Sequence, residues 1–293
     1  MSALCQTRYA RQVTRASSPA PKAPRESNRA FARELSRAFG GAVLFALPLL
    51  MTMEMWWLGF YLEPWRLALQ LILSVPLLVV FSYYIGFRDS FSWQENVVDA
   101  FAALAVGFIT AAVCLLLFSV LEWGMSADEI VGKIALQAVP ASIGAILAAA
   151  QFGVKDEKRE ARARGYFAEL VYMLVGALYL ALNLAPTDEM VLIALQFTPW
   201  HALALMALSL TLIHTFVYRA GFSGQEARPE GATSRGLFLR FTVVGYAVAL
   251  LTSLYVLWIF GRTDGLGVAQ LVMVLSVLGF PASVGVAAAR LIL

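Results

Sequence analysis

Long apolar runs separated by short polar segments fill the chain from Ala38 to its end. Each run approaches the roughly 20 residues that a helix needs to cross a hydrocarbon core about 30 Å thick. Within lipid, such runs satisfy their backbone hydrogen bonds only as helices. The pattern therefore predicts eight membrane-spanning helices: Ala38–Trp57, Trp65–Phe87, Val97–Leu121, Ile130–Phe152, Phe167–Ala185, Trp200–Tyr218, Phe241–Phe260 and Leu266–Leu293.

The composition agrees with a membrane protein. Apolar residues make up 60% of the 293 residues and charged residues 14%, with a mean hydropathy of +0.73. Soluble domains are usually about 45–50% apolar and ~25% charged, so the apolar excess is expected to face lipid. A net charge of +3 is too small to indicate a partner nucleic acid. Cys5 in a polar tail and Cys114 in an apolar run predict neither a disulfide nor a metal site.

Basic residues fall mainly on one side of the predicted topology. With the N-terminus in the cytoplasm, Arg66, Lys133 and Arg262 are the exceptions among 22 Lys and Arg residues. Because cytoplasmic loops are enriched in Lys and Arg, this asymmetry places both termini in the cytoplasm. We expect a multi-pass protein of the bacterial inner membrane.

The opposite, outer side carries an excess of acids. An acidic outer surface would concentrate cations, but it also follows simply from the retention of basic residues in the cytoplasm. The sequence leaves both interpretations open. The acids concerned are Glu54, Glu63, Glu122, Asp128, Glu129, Asp188, Glu189 and Asp264.

The first four spans reappear in the second four. The pattern T-x-E-M-x8-P-W begins at Thr52 and begins again, unchanged, at Thr187. Later in each copy, Pro140–Gly144 matches Pro281–Gly285, in a register shifted slightly by a longer loop in the second copy. Two motifs that recur in the same order indicate an internal duplication.

The predicted fold class is all-α: a polytopic membrane helix bundle of two four-helix repeats. Because each repeat has an even number of spans, both repeats enter the membrane in the same direction, and a central site is expected at their interface. We expect a flexible basic cytoplasmic tail (1–35), a first repeat (36–152), a charged cytoplasmic linker (153–165) and a second repeat (166–293).

Glu54 and Glu189 occupy the same place in the two repeats, near the outer ends of their spans. A carboxylate within the hydrocarbon is costly and needs a partner or a ligand. One interpretation makes the two glutamates an outer site for a small cation or proton, with Thr52 and Thr187 completing the ion-binding group.

A base follows each Pro-Trp pair, Arg66 in the first repeat and His201 in the second. Glu54 with Arg66, and Glu189 with His201, could instead form ion pairs that close each helix hairpin. If His201 belongs to a gate, its usual pKa near 6.5 would make the second repeat sensitive to pH.

Prolines and small residues occur in the middle of the fourth and eighth spans. Pro140 and Pro281 interrupt the hydrogen-bond ladder, while Gly144 and Gly285 allow close helix contact. We expect the two helices to cross near the axis that relates the repeats. The prolines could expose carbonyl groups to a cation or could only kink a packed helix.

Two further sets of polar residues lie nearer the cytoplasm. Asp99 and Arg240 are equivalent in the two repeats and could form an ion pair, an inner gate or two separate interfacial charges. His214 lies within its span and could be a packing residue or part of a proton relay.

Sequence motifs typical of enzymes are missing: there is no H-E-x-x-H, P-loop, G-x-S-x-G, C-x-x-C or dinucleotide-binding pattern. We therefore expect no enzyme activity, no cofactor and no bound metal.

The duplicated T-x-E-M-x8-P-W segments, Gly86-Phe87-Arg88-Asp89 and Pro140–Gly144 resemble an uncharacterised, domain-of-unknown-function family of bacterial integral membrane proteins. The similarity covers about Glu34 to Leu293. It implies no activity. It does imply pairing with a small second membrane protein, because members of that group look to be paired with one.

The sequence favours a small-cation or proton-coupled transporter or channel with a duplicated outer glutamate site. The alternative is a non-transporting membrane scaffold or a subunit of a membrane complex, with a companion protein or a second copy of the chain as partner. A lipid-handling protein is a third alternative, which would require a lateral groove lined by polar residues.

Overall fold

The computed structural model describes residues 24–85, 92–152, 165–218, 236 and 238–292. These residues form helices and no strand. The helices are α1 Pro24–Leu50, α2 Met53–Tyr61, α3 Pro64–Tyr84, α4 Trp93–Leu117, α5 Ala127–Phe152, α6 Tyr166–Leu184, α7 Asp188–Leu195, α8 Pro199–Tyr218, a π-helical turn Phe238–Val243 that continues as α9 Val244–Ile259, and α10 Val268–Ile292.

Seven helices in the described part of the chain are long and apolar enough to cross a membrane, and an eighth span results if α1 and α2 are counted together. The expected all-helical membrane protein is confirmed. By its contacts, Arg37–Leu293 forms one unit and Met1–Ser36 a separate one. Most of the expected basic tail (1–23), the 86–89 loop motif and nearly all of the charged linker (153–164) lie outside the described residues.

The first span is not the single helix that the apolar run predicts. The chain bends by 84° between α1 and α2. Pro48 lacks the amide hydrogen that would extend the hydrogen-bond ladder in the last turn of α1. The hydroxyl of Thr52 donates to the Pro48 carbonyl, and Thr52 has the extended backbone of a helix N-cap. Glu54 therefore belongs to a short second helix.

Predicted and observed boundaries agree closely elsewhere. The fourth helix begins at a capping box in which Ser92 Oγ accepts from the Glu95 amide at 3.2 Å, while the Glu95 carboxylate accepts from the Ser92 amide. Such reciprocal bonds satisfy amide groups that have no partner inside the helix.

The helices fall into a first helix set, α1–α5, and a second helix set, α6–α10. In the first, α5 packs against α2, α3 and α4, and in the second, α10 packs against α6, α7, α8 and α9. The expected crossing of α5 with α10 is wrong, because this pair is absent from the main helix contacts of the described residues. Each helix instead lies at the centre of its own set.

Glycines bring the first and last long helices of each set together. A Cβ atom added to Gly41 of α1 would overlap the carbonyl oxygen of Gly144 in α5. An added Cβ on Gly176 of α6 would overlap the carbonyl oxygen of Gly285 in α10. Only residues without a side chain permit such close backbone contact between helices in a membrane.

The two sets meet along a smaller surface. The third helix packs against α6 and α9, and α5 packs against α6. The rings of Phe45 and Tyr179 add a contact between α1 and α6, with centroids 4.3 Å apart. This interface contains the cavity described below.

Candidate functional site

A cavity of about 270 Å³ lies where α3 and α5 of the first helix set face α6 and α9 of the second. Leucine, isoleucine and valine form most of its wall. Along α3 the lining runs from Gln70 to Leu77, about 9–20 Å from the start of a helix roughly 30 Å long. The cavity is therefore near the middle of the span.

Polar lining residues are confined to α3 and α9. Gln70 and Ser74 of α3 are each 2% exposed, and Thr252 of α9 is 4% exposed. The Ser74 hydroxyl donates to the Leu71 carbonyl at 2.7 Å, whereas Oε1 of Gln70 has no hydrogen-bond partner. Tyr255 of α9 completes this polar group.

The cavity is open on one side between α3 and α9. Two of its lining residues, Leu73 and Leu251, are 42% and 67% exposed at the protein surface. Both belong to helices that are apolar enough to span a membrane. The opening therefore lies on a surface that is suited to contact lipid.

Arg66 lies one helical turn before Gln70 and joins the two sets. Its guanidinium forms an ion pair with Asp264 at 2.9 Å and donates to the Trp258 carbonyl at 3.0 Å. Its Cζ atom lies 5.4 Å and 5.7 Å from the ring centroids of Trp65 and Trp258, within the range of cation–π attraction. These contacts close the interface at the Arg66 end of the bundle.

The loop between α9 and α10 is fixed at the same end. Gly261 has φ +69°, a left-handed conformation that favours glycine. Arg262 pairs with Asp188 at 2.7 Å and also donates to the Pro186 carbonyl, at the corner between α6 and α7. One loop thus contacts α3 through Asp264 and the α6–α7 corner through Arg262.

A third ion pair lies within the first set. Lys133 of α5 is 7% exposed, and its Nζ lies 2.7 Å from the Glu129 carboxylate. A Cβ added to Gly59 of α2 would fall within 2.8 Å of the Lys133 backbone and stem. The three bases that the topology prediction places outside, Arg66, Lys133 and Arg262, are therefore all in ion pairs.

Glu54 and Glu189 lie in the first turns of α2 and α7. Glu54 is partly exposed, Glu189 is exposed, and neither lines the cavity. A carboxylate in a first turn is stabilised by the positive end of the helix dipole. Thr52 and Thr187 precede these helices, and their hydroxyls donate to the carbonyls of Pro48 and Leu184 rather than to one shared site.

The expected hairpin-closing pairs are not formed among the described residues. Arg66 binds Asp264 in place of Glu54. The Nδ1 atom of His201 lies 2.8 Å from the Thr198 hydroxyl and accepts from the Thr198 amide. Each base has a partner, but neither partner is the equivalent glutamate, so the two hairpins close in different ways.

Asp99 and Arg240 lie in different environments. Asp99 is 3% exposed within α4, whereas Arg240 is exposed and stacks over the Tyr166 ring at 4.5 Å. Their pairing stays a prediction. In the same region His214 Nδ1 lies 3.1 Å from the hydroxyl of Thr242, in the π-helical turn.

Pro140 and Pro281 lie within helices that continue on both sides. Two residues after each proline, a serine hydroxyl donates to the carbonyl four residues earlier: Ser142 to Ala138 and Ser283 to Gly279, both at 2.6 Å. These bonds satisfy two serines inside the bundle. The role of the prolines in gating stays a prediction.

Sequence reasoning missed Gln70 and Ser74 as cavity residues and Asp264 as the partner of Arg66. The first two are detectable in principle, because Arg66, Gln70 and Ser74 are spaced by four residues in an otherwise apolar helix and so share one face. Asp264 carries no comparable signal, since its contact with Arg66 joins residues 198 positions apart.

No curated protein and no solved structure matches the chain. The model of one family, the integral membrane protein family DUF2391, matches residues 34–293. This range contains every described helix from α2 onward and most of α1. The resemblance inferred from the duplicated motifs is confirmed: the chain belongs to the DUF2391 family of integral membrane proteins.

Proposed function

We propose that the protein is a membrane transporter that carries a small uncharged amphiphile through the cavity between its two helix sets. The position of this cavity supports the proposal, since it is lined by both sets near the middle of the span. Transporters built from two repeats commonly bind their substrates at the repeat interface near the bilayer midplane.

The proposal treats the two helix sets as halves related by duplication. Equivalent contacts support this relationship: Gly41 with Gly144 in one set and Gly176 with Gly285 in the other. In the two copies of the sequence, Gly41 corresponds to Gly176 and Gly144 to Gly285. Each set also begins with a long helix followed by a short one, α1 with α2 and α6 with α7.

The lining favours an uncharged substrate. Among the described residues that line the cavity, none carries a formal charge. An ion in such a place would lose its hydration without gaining a counter-charge. The exposed leucines at the opening, Leu73 and Leu251, would admit a molecule that first dissolves in the bilayer.

The proposed topology has both termini in the cytoplasm of a bacterium and the Arg66 end of the bundle outside. The pairing of Arg66, Lys133 and Arg262 with acids supports it. Basic residues are rare on the outer side of inner-membrane proteins, and those that occur here are held by neighbouring carboxylates.

A second candidate is a small-cation or proton-coupled transporter with Glu54 and Glu189 as its outer site. One observation favours it: both glutamates lie in the first turn of a short helix at equivalent positions. Their absence from the cavity lining makes it the weaker candidate. Proton and potassium flux in liposomes should fall in the E54Q and E189Q variants if this candidate is correct.

A scaffold role would need no passage between the sets, and the partner would be a companion membrane protein or a second copy of the chain. The ion pair between Arg66 and Asp264, which joins the two sets in one closed arrangement, favours this alternative. Transport measurements distinguish it from the two transport candidates.

Transbilayer movement of a neutral amphiphile tests the main proposal. Liposomes with and without the protein would be mixed with an excess of hexane-1,6-diol, a neutral alcohol small enough for the cavity, and stopped-flow light scattering would follow the swelling that accompanies its entry. We expect this swelling phase to be at least severalfold faster with the wild-type protein. Leu178→Phe, which adds volume at a cavity-lining position of α6, should slow this phase.

Ile72→Phe is the matched control. Ile72 lies on α3, is 66% exposed and is not a lining residue, so the same aromatic substitution there should leave the rate unchanged. Equal rates in empty and wild-type liposomes would reject transport. Equal slowing by both substitutions would show that the cavity is not the route.

A further inference from the structure

An unpartnered carbonyl oxygen lies in the wall of the cavity. Gln70 is 2% exposed, and its Oε1 accepts no hydrogen bond. Buried amide oxygens are nearly always bonded, because removal from water without a partner is costly. The position of Gln70 in the cavity lining indicates that a bound molecule supplies the missing donor.

A complementary unpartnered group lies one helical turn away. Nε of Arg66, on the same face of α3, has no acceptor, while the other two nitrogens of this guanidinium bind Asp264 and the Trp258 carbonyl. Arg66 itself does not line the cavity, so the Gln70 oxygen is the unpartnered atom of this pair that belongs to the lining. A hydroxyl is the smallest neutral group that can donate to such an oxygen.

The remaining lining selects against other polar groups. The Ser74 hydroxyl has given its hydrogen to the Leu71 carbonyl, so it can only accept a further bond. The lining of α3 thus offers two acceptor atoms, on Gln70 and Ser74, which favour a ligand that carries a donor. An ether or an alkane would leave the Gln70 oxygen without a partner.

The opposite wall and the volume define the rest of the ligand. The side facing α6 is apolar, with Leu174, Leu178 and Leu182. A volume of about 270 Å³ corresponds to about nine groups of the size of a water molecule. A neutral alcohol with roughly eight to ten heavy atoms fits this space, with its chain against α6 and its hydroxyl toward Gln70.

We infer that the cavity recognises a neutral, hydroxyl-bearing amphiphile, and that Gln70 selects it by accepting a hydrogen bond from its hydroxyl. The inference rests on the substrate cavity of the proposed function and narrows its substrate class to alcohols. It assigns Gln70 a role in specificity.

Photolabelling of the full-length protein in lipid nanodiscs tests this inference without a transport assay. The probe is octan-1-ol with a diazirine on its chain, and labelled positions are read by mass spectrometry. Unlabelled octan-1-ol and 1-methoxyheptane, isomers of which only the first has a hydroxyl hydrogen, serve as competitors. We expect labels on α3, α6 or α9, and octan-1-ol to compete about tenfold better than the ether, as for one hydrogen bond.

Two glutamine variants make the test specific. In Q70L the preference for the alcohol should disappear while labelling of the cavity persists. Q137L is the matched control, because Gln137 is fully buried and its amide has no partner, yet it does not line the cavity. Q137L should keep the wild-type preference.

The outcomes separate the inference from the proposed function. Equal competition by the two isomers in the wild-type protein, or an undiminished preference in Q70L, would overturn the role of Gln70 even if transport were observed. A Gln70-dependent preference together with no transbilayer movement would support recognition and reject transport. Absence of label from α3, α6 and α9 would show that the alcohol does not bind in the cavity, and would overturn the inference.

Discussion

The guanidinium of Arg66 lies 2.9 Å from the carboxylate of Asp264, and these two residues link α3 to the loop between α9 and α10. The same guanidinium contacts the Trp65 and Trp258 rings, which themselves pack with centroids 5.5 Å apart. One side chain of the first helix set is therefore held by three groups, two of which belong to the second set.

We expect the hydrogen bond and ring contacts of Arg66 to stabilise the protein more than its ion pair does. The Asp264 side chain is 56% exposed, so D264N should lower the free energy of unfolding by less than about 1 kcal/mol. R66K keeps the charge but loses the planar geometry for Trp258 and the rings, and should cost about 1–2 kcal/mol.

Unfolding in SDS titrations would measure both variants together with R66M and the double variant R66M/D264N. Because R66M removes the charge, the coupling energy of the cycle formed by R66M and D264N isolates the ion pair from the other Arg66 contacts. A loss in D264N as large as that in R66K would contradict the expected order.

Gly41→Ala and Gly176→Ala should each destabilise the protein. The added methyl group would overlap the carbonyl oxygen of Gly144 or Gly285, so the helices must move apart, at a cost on the order of 1–3 kcal/mol. Thermal unfolding in detergent would measure the loss.

Gly40→Ala is the matched control, because nothing lies within 4 Å of the added atom. Its stability should be unchanged or higher by up to about 1 kcal/mol. Equal effects at Gly40 and Gly41 would argue against close backbone contact between α1 and α5.

Removal of Glu129 should be more harmful than removal of Lys133. The lysine is 7% exposed, so E129Q leaves a buried positive charge without its counter-charge, which should cost about 2–3 kcal/mol. K133M keeps the apolar stem beside Gly59 and removes the charge, and should cost about 1 kcal/mol or less.

The double variant E129Q/K133M should recover most of the stability lost in E129Q. Unfolding free energies of the three variants in SDS titrations test this order. A larger loss in K133M than in E129Q would show that the charge of Lys133 is needed for another contact.

The proposed topology predicts which cysteines a membrane-impermeant maleimide reaches from outside. In a C114S background, Cys5 should react only after the cells are permeabilised, because the basic tail is expected in the cytoplasm. With Cys5 also replaced, a cysteine introduced by D128C, an exposed position at the start of α5, should react in intact spheroplasts. The reverse labelling pattern would invert the topology.

Much of the fold follows from the one-dimensional pattern. The spans α3–α6 and α8–α10 were predictable from their apolar runs, and the start of α4 from the Ser92–Glu95 capping box, whereas the short helix α7 was not predicted. The bend between α1 and α2 was not predicted, because a hydropathy pattern averages over a run and does not register the amide hydrogen that Pro48 lacks.

The candidate site was less predictable. Glu54 and Glu189 were predicted as an outer ion site because their motif is duplicated, yet neither residue lines the cavity. Gln70 lies in that lining and has no duplicated motif to mark it: in the register that aligns Glu54 with Glu189, its equivalent is Leu205. A duplicated motif indicates what two stretches of sequence share, whereas this cavity is lined by helices at different positions in the two sets.

The sequence by itself determined that the chain is a helical membrane protein, where most of its spans lie, and which small residues recur with the duplicated motifs. The tertiary structure alone decided that Arg66 binds Asp264, that α5 and α10 remain in separate sets, and that Gln70 lies beside a cavity. The physical reason is that lipid and the interior of a helix bundle are similarly apolar. An apolar run therefore specifies burial in the membrane without specifying which neighbouring helix, or which empty space, each face will meet.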